Sequence, residues 1–195
     1  GIDASLDYHQ KIGQVDVTAR ANFTYAHNTI LDNDQPEWEY AYQNRIGQSN
    51  WQTFGLVADG LFQSQEEIDA WPTQKFGEVK PGDIRYIDIN GDGVVDDYDK
   101  KPIGFPDVPE ISYGFGASVR WKGFDVSIFF QGIDNVNFFI NNSYTQPFIA
   151  NKTRHSNVFA DLYGNYWTED NRDAKYPRLT IGSNTNNNQA STFWM

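Results

Sequence analysis

Two pairs of alternating segments, each pair joined by a short turn, constrain the fold of this chain most strongly. In residues 111–121 an apolar or aromatic residue occupies every second position, from Ile111 to Trp121. The same alternation resumes at Phe124, after the turn Lys122-Gly123. Because successive side chains of a strand point to opposite faces of a sheet, period-2 alternation on both sides of a tight turn predicts a β-hairpin over residues 111–133.

A second hairpin is predicted over residues 1–27. Ile2, Ala4, Leu6 and Tyr8 alternate with polar residues, and a turn is expected at Lys11-Ile12-Gly13. Alternation then resumes from Val15 to Tyr25. The longer predicted arms hold about 9–11 residues, which is the length that crosses a bilayer as a tilted strand.

The alternation fits two kinds of protein and does not distinguish them. A soluble β-sandwich would bury the apolar face in its core, whereas a transmembrane barrel would turn that face to lipid and the polar face to the lumen. In a barrel the lipid-facing residues would be Tyr113, Phe115, Val119, Trp121, Phe124, Val126 and Ile128. The lumen-facing residues would be Arg20, Ser118, Arg120 and Ser127.

The acidic excess of the chain lies in one segment. Residues 28–110 hold 17 Asp and Glu against 6 Lys and Arg, a charge of −11, whereas the remaining residues hold nine of each. A surface of this sign repels phosphate groups and argues against nucleic acid as a partner. The chain has no cysteine, which excludes disulfides and thiolate chemistry, and no apolar run long enough for a transmembrane helix.

Residues 28–110 and 134–195 are interpreted as loop regions. The first is long, irregular and acidic, and the second is rich in asparagine and would lead to a further barrel strand. Inside the first, Ser64 followed by Glu67 has the spacing of a capping box, which predicts one short helix over residues 65–71 that ends at Pro72. The predicted fold class is therefore mainly β: antiparallel hairpins with a long irregular acidic loop region and one short helix.

Residues 88–99 have the spacing of a calcium-binding loop. Oxygen-bearing side chains stand at positions 1, 3, 5, 9 and 12 of a twelve-residue EF-hand-like loop, and a glycine stands at position 6. Position 12 is Asp99 rather than the bidentate Glu of an EF-hand, so the loop is more similar to the Asp-ended loops of dockerins. A structural calcium ion is predicted, with ligands from Asp88, Asn90, Asp92, Asp96 and Asp99 and the carbonyl of Val94. The alternative is an acidic turn built on Asn-Gly and Asp-Gly.

No catalytic constellation emerges from the sequence. His9, His27 and His155 are far apart and lack the spacing of metal ligands, and no pair of carboxylates is singled out as an acid and a base. We therefore expect a protein that is not an enzyme. A soluble calcium-stabilised β module that binds carbohydrate or protein is the alternative to a membrane-barrel segment.

Several separated motifs, in order, resemble the SusC/RagA group of TonB-dependent outer-membrane transporters. They are residues 54–68 (FGLVADGLFQSQEEI), residues 81–86 (PGDIRY) leading into the acidic loop, Ile103-Gly104, the hairpin segment Tyr113-Gly114-Phe115, and Phe129-Phe130-Gln131-Gly132. The similarity extends through most of the chain.

This resemblance implies a fragment from the later part of a large outer-membrane barrel. Its acidic loops would be extracellular, its apolar face would meet outer-membrane lipid, and coupling to TonB would pass through an N-terminal part that is missing here. The family imports oligosaccharide or peptide nutrients together with a SusD-like surface lipoprotein. The substrate-binding residues of this segment are not identified by the resemblance.

Overall fold

The structure is a computed structural model that describes residues 1–141 and 158–195. Its ten strands are β1 (Ile2–Ile12), β2 (Val15–Tyr25), β3 (Gln52–Gly55), β4 (Ala58–Leu61), β5 (Thr73–Gln74), β6 (Ile84–Tyr86), β7 (Val94–Val95), β8 (Lys101–Pro106), β9 (Ile111–Trp121) and β10 (Phe124–Asp134). One α-helix, α1 (Gln65–Ala70), and three single turns of 3₁₀-helix at Ala41–Gln43, Asp97–Asp99 and Thr192–Trp194 complete the described elements.

The chain forms two compact units. The first, the sheet unit, contains Gly1–Asn33, Arg45–Gln52 and Phe105–Asn137. The second, the loop unit, contains Asp34–Asn44, Thr53–Gly104 and, within the described residues, 138–141 and 158–195.

The sheet unit is built on one antiparallel sheet with the strand order β1-β2-β9-β10. All four strands have 11 residues. The two predicted hairpins lie side by side, since β2 pairs with β9 along its whole length, from Val15 opposite Trp121 to Tyr25 opposite Ile111. The residues between β2 and β9 are therefore a single connection at one end of two neighbouring strands. This confirms the mainly antiparallel fold class, and the sheet is open rather than closed.

One tight two-residue turn joins the strands of each hairpin. Lys122 and Gly123 both have positive φ, 45° and 90°, as a type I′ turn requires. The first hairpin turns at Gly13-Gln14, because Ile12 still pairs with Val15. The predicted turn at Lys11-Ile12-Gly13 was therefore placed too early. Gly13 has a φ of 62°, and glycine at the first central position suits the type II′ turn whose twist matches the flanking strands.

The two faces of this sheet differ in chemistry as the alternation predicts. Rows of apolar residues cross the strands on one face, for example Val17, Val119 and Val126, or Ala21, Phe115 and Phe130. The opposite face carries polar residues and ion pairs, including Arg20 with Asp7 and Arg120 with Asp125. The apolar face is exposed: Val126 retains 69% of its accessible surface.

The loop unit has its own buried core, although its regular elements are short. The core side chains come from both sides of the segment that is not described: Leu56, Leu61, Ile84, Tyr86, Val95, Leu162, Trp167, Tyr176 and Trp194. The interpretation of residues 28–110 as irregular therefore applies to the backbone and not to the packing. No helix in residues 1–141 or 158–195 is both long and apolar enough to span a membrane.

Helix α1 begins as the capping box predicts. The Ser64 hydroxyl accepts a hydrogen bond from the Glu67 amide, which satisfies one of the free N–H groups of the first turn. The helix ends at Ala70, one residue earlier than predicted, because Trp71 is already extended ahead of Pro72.

A buried polar network surrounds β6 in the loop unit. The Gln74 amide nitrogen donates to the Ile84 carbonyl and to Asn186 Oδ1. Asn187 Oδ1 accepts from the Ile84 amide, and Gln74 Oε1 accepts from the Tyr86 amide. Side-chain amides thus satisfy backbone groups of a short strand that has β4 as its paired strand.

Asp83 is the charged centre of that network and is fully buried. Its Oδ1 accepts hydrogen bonds from the side-chain amides of Asn184 and Asn187, at 2.8 Å and 2.9 Å. Its Oδ2 accepts from the Lys80 amide at 2.8 Å and from Arg178 Nη2 at 3.0 Å. Arg178 Nε lies 2.8 Å from Oδ1 at ion-pair distance, although its N–H is not aligned for a hydrogen bond.

Candidate functional site

The predicted calcium loop is a set of turns closed by side chain to backbone hydrogen bonds. Asp88 accepts from the amides of Gly91 and Gly93, at 2.7 Å and 2.8 Å. Asn90 Oδ1 accepts from the Asp92 amide, and Asp92 Oδ1 accepts from the Val94 amide. Each of the first three side chains of the pattern is therefore already engaged with the backbone a few residues further on.

The last residues of the pattern are engaged as well. Asp99, at position 12, is fully buried, and its two oxygens accept from the amides of Ile89 and Asp96 at 2.7 Å and 2.8 Å. Asp96 accepts from the Tyr98 amide and forms an ion pair with Lys75 at 3.2 Å. Asp99 thus ties the two ends of the loop together, a role that its position in the calcium pattern did not indicate.

These contacts bear directly on the predicted metal. Oxygen donors alone suit a hard cation such as calcium, and each carboxylate oxygen has a second lone pair. Within residues 1–141 and 158–195, however, no group of three or more His, Asp or Glu side chains is arranged to hold a metal ion. The calcium ion stays a prediction from the spacing of the residues.

The electrostatics around the loop are negative. Tyr42 lies beside it and donates its hydroxyl hydrogen to the Tyr98 carbonyl at 2.7 Å. The pKa of Tyr42 is raised to about 12, mainly by burial and further by nearby ionisable groups led by Asp99, with Asp88 and Asp92 among them. A tyrosine that resists ionisation in this way reports an environment that disfavours a further negative charge.

The histidines do not form a site in the described structure. His9 lies on β1 with its ring nitrogen 3.2 Å from the Thr18 hydroxyl. His27 pairs with Glu110 and contacts Thr29. His155 lies outside the described residues.

The second candidate surface is the sheet itself. Its apolar face exposes aromatic and branched side chains of β9 and β10, including Phe115, Trp121, Phe124 and Val126. A soluble domain rarely leaves an apolar face of this extent in water. Such a face is typical of a surface that contacts another protein or a membrane. The strands are long enough to cross the hydrocarbon layer when tilted.

Comparison with known proteins gives two curated relatives, both from Formosa agariphila (strain DSM 15362 / KCTC 12365 / LMG 23005 / KMM 3901 / M-2Alg 35-1). TonB-dependent receptor P26 is 32% identical over 127 residues, which is 64% of this chain and 12% of the relative. TonB-dependent receptor P3 is 30% identical over 137 residues, which is 70% of this chain and 13% of the relative. The chain therefore spans about one eighth of the length of these receptors. No protein-family model matches it.

Solved structures provide the fold. The RagAB peptide transporter matches with a TM-score of 0.60 at 21% identity, over 94% of this chain and 20% of the solved chain. The RagAB peptide importer in its closed-closed state matches with a TM-score of 0.59 at 20% identity, over the same shares of the two chains. The sequence and fold matches together confirm the resemblance: the chain is similar to one segment of the TonB-dependent receptors of the SusC/RagA type.

Proposed function

We propose that this chain supplies part of the barrel wall and of the extracellular surface of a TonB-dependent outer-membrane transporter. The transporter would import glycan or peptide fragments and would be coupled to TonB through parts of the receptor outside this chain. The observation that carries the proposal is the open sheet of 11-residue strands with one exposed apolar face and one polar face. Lipid would cover the apolar face, and the polar face would line the lumen.

The connections of the sheet support an orientation in the membrane. Both tight turns, at Gly13-Gln14 and Lys122-Gly123, lie at the same end of the four antiparallel strands. The long segments that build the loop unit attach at the opposite end. Outer-membrane barrels have short turns on the periplasmic side and long loops outside the cell, so the loop unit would be extracellular.

The alternative, a soluble calcium-stabilised binding module, is less well supported. Such a module would bury the apolar face of its main sheet. In this chain, Phe124, Val126 and Ile128 on that face are each more than half exposed. Lipid contact explains this exposure without a further protein layer.

Single-cysteine labelling tests the orientation, and it suits this chain because the chain has no cysteine of its own. In a cysteine-free form of the receptor that carries this segment, Asp173→Cys places a thiol on the exposed surface of the loop unit. Gln14→Cys places one in a short turn. A membrane-impermeant maleimide should label the Asp173→Cys variant on intact cells and the Gln14→Cys variant only after the outer membrane is permeabilised.

The labelling has an internal control and a clear contradiction. Both variants should react fully in detergent, which shows that each thiol is accessible in the folded receptor. Labelling of the Gln14→Cys variant but not of the Asp173→Cys variant on intact cells would show the opposite orientation. Labelling of both sites on unpermeabilised cells would remove the segment from the membrane.

We also propose that the loop unit contacts a SusD-like surface lipoprotein. The acidic residues Glu66 and Asp69 are exposed on α1, and they belong to the segment that holds the negative excess of the chain. The hydrogen bond from Ser64 lowers the pKa of Glu66, which favours the charged form of this carboxylate. A partner for this surface would present a complementary positive patch.

Charge reversal on α1 tests this partner. Changing Glu66→Lys and Asp69→Lys together should weaken co-purification of the lipoprotein with the receptor. The loss of co-purified lipoprotein should be larger at low salt, where charges are screened less. Gln14→Lys, in the short turn, is the control and should leave co-purification unchanged. Equal recovery of lipoprotein from all three proteins would exclude α1 from the interface.

We propose further that the loop at residues 88–99 binds one structural calcium ion. Asp88, Asn90, Asp92 and Asp99 would use lone pairs that are not engaged with the backbone, and the Val94 carbonyl and Asp96 would complete the site. The aspartates of the loop make its surroundings negative, which favours a cation here. Extracellular calcium modules bind at about 10⁻⁴–10⁻³ M, and a loop outside the cell has no need of tighter binding.

Calorimetric and melting titrations of metal-stripped protein test the calcium ion. Calcium should raise the melting temperature of the unmodified protein, magnesium should do so poorly, and Asp92→Ala should abolish the response. Asp99→Asn should lower stability by about 2 kcal/mol with or without calcium, because the single side-chain oxygen of asparagine leaves one of the partly buried amides of Ile89 and Asp96 without an acceptor. If calcium gives no heat of binding and no shift in melting temperature with the unmodified protein, residues 88–99 are an acidic turn that does not bind calcium.

A further inference from the structure

Phe129 breaks the chemistry of the polar face of the sheet. On β10 that face carries Asp125, Ser127, Phe129 and Gln131 in succession. A polar face has no need of an aromatic ring at this position, and 57% of the surface of Phe129 is exposed. It therefore contributes little to packing and presents a free apolar surface to the aqueous side of the sheet.

Two glycines allow the ring to lie flat on the neighbouring strand. Phe129 pairs with Gly116 in the register, and Gly114 is the next residue of β9 on the same face. A Cβ added at Gly114 would be 2.7 Å from Phe129 Cζ, and one added at Gly116 would be 2.7 Å from Phe129 Cδ2. Any side chain at these positions would lift the ring away from the backbone of β9, so the glycines create a level aromatic platform.

Neutral hydrogen-bonding groups lie on one side of this platform, whereas Arg20 and Arg120 line a neighbouring hollow that also includes Phe129. Asn22, Ser112 and Gln131 line an open groove together with Gly114 and Phe129, and no charged side chain lines it. Within residues 1–141 and 158–195, no hydrogen bond engages the side chains of Asn22, Ser112 or Gln131. Among the described residues, the groove thus combines an exposed aromatic ring with amide and hydroxyl groups that have no hydrogen-bond partner.

We propose that this groove is a stacking subsite for one neutral sugar ring of the transported nutrient, an inference that rests on the proposed transport function. The C–H bonds on one face of a pyranose carry partial positive charge, which suits the negative face of an aromatic ring. The sugar hydroxyls both donate and accept hydrogen bonds, as do amide and hydroxyl side chains.

Binding to the purified, detergent-solubilised receptor tests the subsite. The probes are a panel of short uncharged oligosaccharides and a panel of uncharged peptides of matched mass, measured by titration calorimetry. At least one oligosaccharide should bind, and Phe129→Ala should weaken it about tenfold, as expected for the loss of one aromatic contact. Phe129→Trp should retain affinity, and Gly114→Ala should reduce it because the added methyl displaces the ring.

Phe130→Ala is the matched control. Phe130 is the next residue on the same strand and has a similar exposure of 51%, but it lies on the apolar face. Its replacement should leave sugar affinity unchanged. Equal affinity of the Phe129→Ala variant and the unmodified receptor, or binding of peptides with no binding of sugars, would overturn the subsite. Either result would leave the labelling test of orientation unaffected, so the two proposals fail separately.

Discussion

Replacing Asp83 with alanine should destabilise the loop unit by about 3–5 kcal/mol, which is the cost of leaving one charge of a buried ion pair without its partner. Asp83 is fully buried, and Arg178 holds it with a hydrogen bond from Nη2. The substitution would also leave the amides of Asn184 and Asn187 without an acceptor. Denaturant unfolding followed by tryptophan fluorescence measures this loss, because Trp167 and Trp194 are buried in the same unit.

The design of this experiment separates the network from a general loss of charge. Asp173→Ala removes an exposed carboxylate from the same unit and should change stability by less than about 0.5 kcal/mol. Arg178→Ala should cost nearly as much as Asp83→Ala, and the double variant should cost much less than the sum of the two. Additive losses, or an Asp83→Ala variant as stable as the control, would show that the pair contributes no coupling.

The second large effect concerns the two faces of β10. An arginine at Val126 should destabilise the receptor in the membrane by up to about 2–4 kcal/mol, the cost of such a charge at the bilayer midplane, because it would place a charge against lipid on the third residue of β10. An arginine at Ser127 would face the lumen side, where Arg20 and Arg120 already lie, and should cost far less. Reversible unfolding from lipid vesicles measures both variants.

Neighbouring residues of one strand make this comparison sharp. Val126 and Ser127 are neighbours in β10 and lie at nearly the same depth, but on opposite faces of the sheet. The effects of depth and of strand propensity on stability are therefore similar for the two arginine variants. Val119→Arg, opposite Val126 in the register, should reproduce the large loss. Equal tolerance of arginine at Val126 and Ser127 would refute lipid contact on the apolar face.

Much of the architecture could be predicted from the sequence because it depends on near neighbours. The alternation that begins at Ile111 assigns each residue to one face, and a shift by one residue would exchange the faces, so the pattern specifies the register within a hairpin. Local chemistry also placed the Lys122-Gly123 turn and the Ser64 cap of α1. The error at the first turn, one or two residues, arose because glycine at position 13 is compatible with several turn types.

The tertiary structure decided which distant segments meet. The asparagine cluster reads as a solvated loop, yet Asn186 and Asn187 are buried against β6. Aspartate usually lies on the surface, yet Asp83 and Asp99 are both buried and each accepts several hydrogen bonds. No periodicity marks these residues, since their partners, such as Arg178 for Asp83, lie far away along the chain.

The same distinction applies to function. By itself, the sequence determined the two-faced hairpins, the short helix, the acidic loop and the resemblance to a transporter family. Only the tertiary structure joined β2 to β9 and laid Phe129 across Gly114 and Gly116. The physical reason is that strand periodicity and turn type follow from residues adjacent in the chain. Strand order, burial of polar side chains and the lining of a groove depend on contacts between segments far apart in sequence.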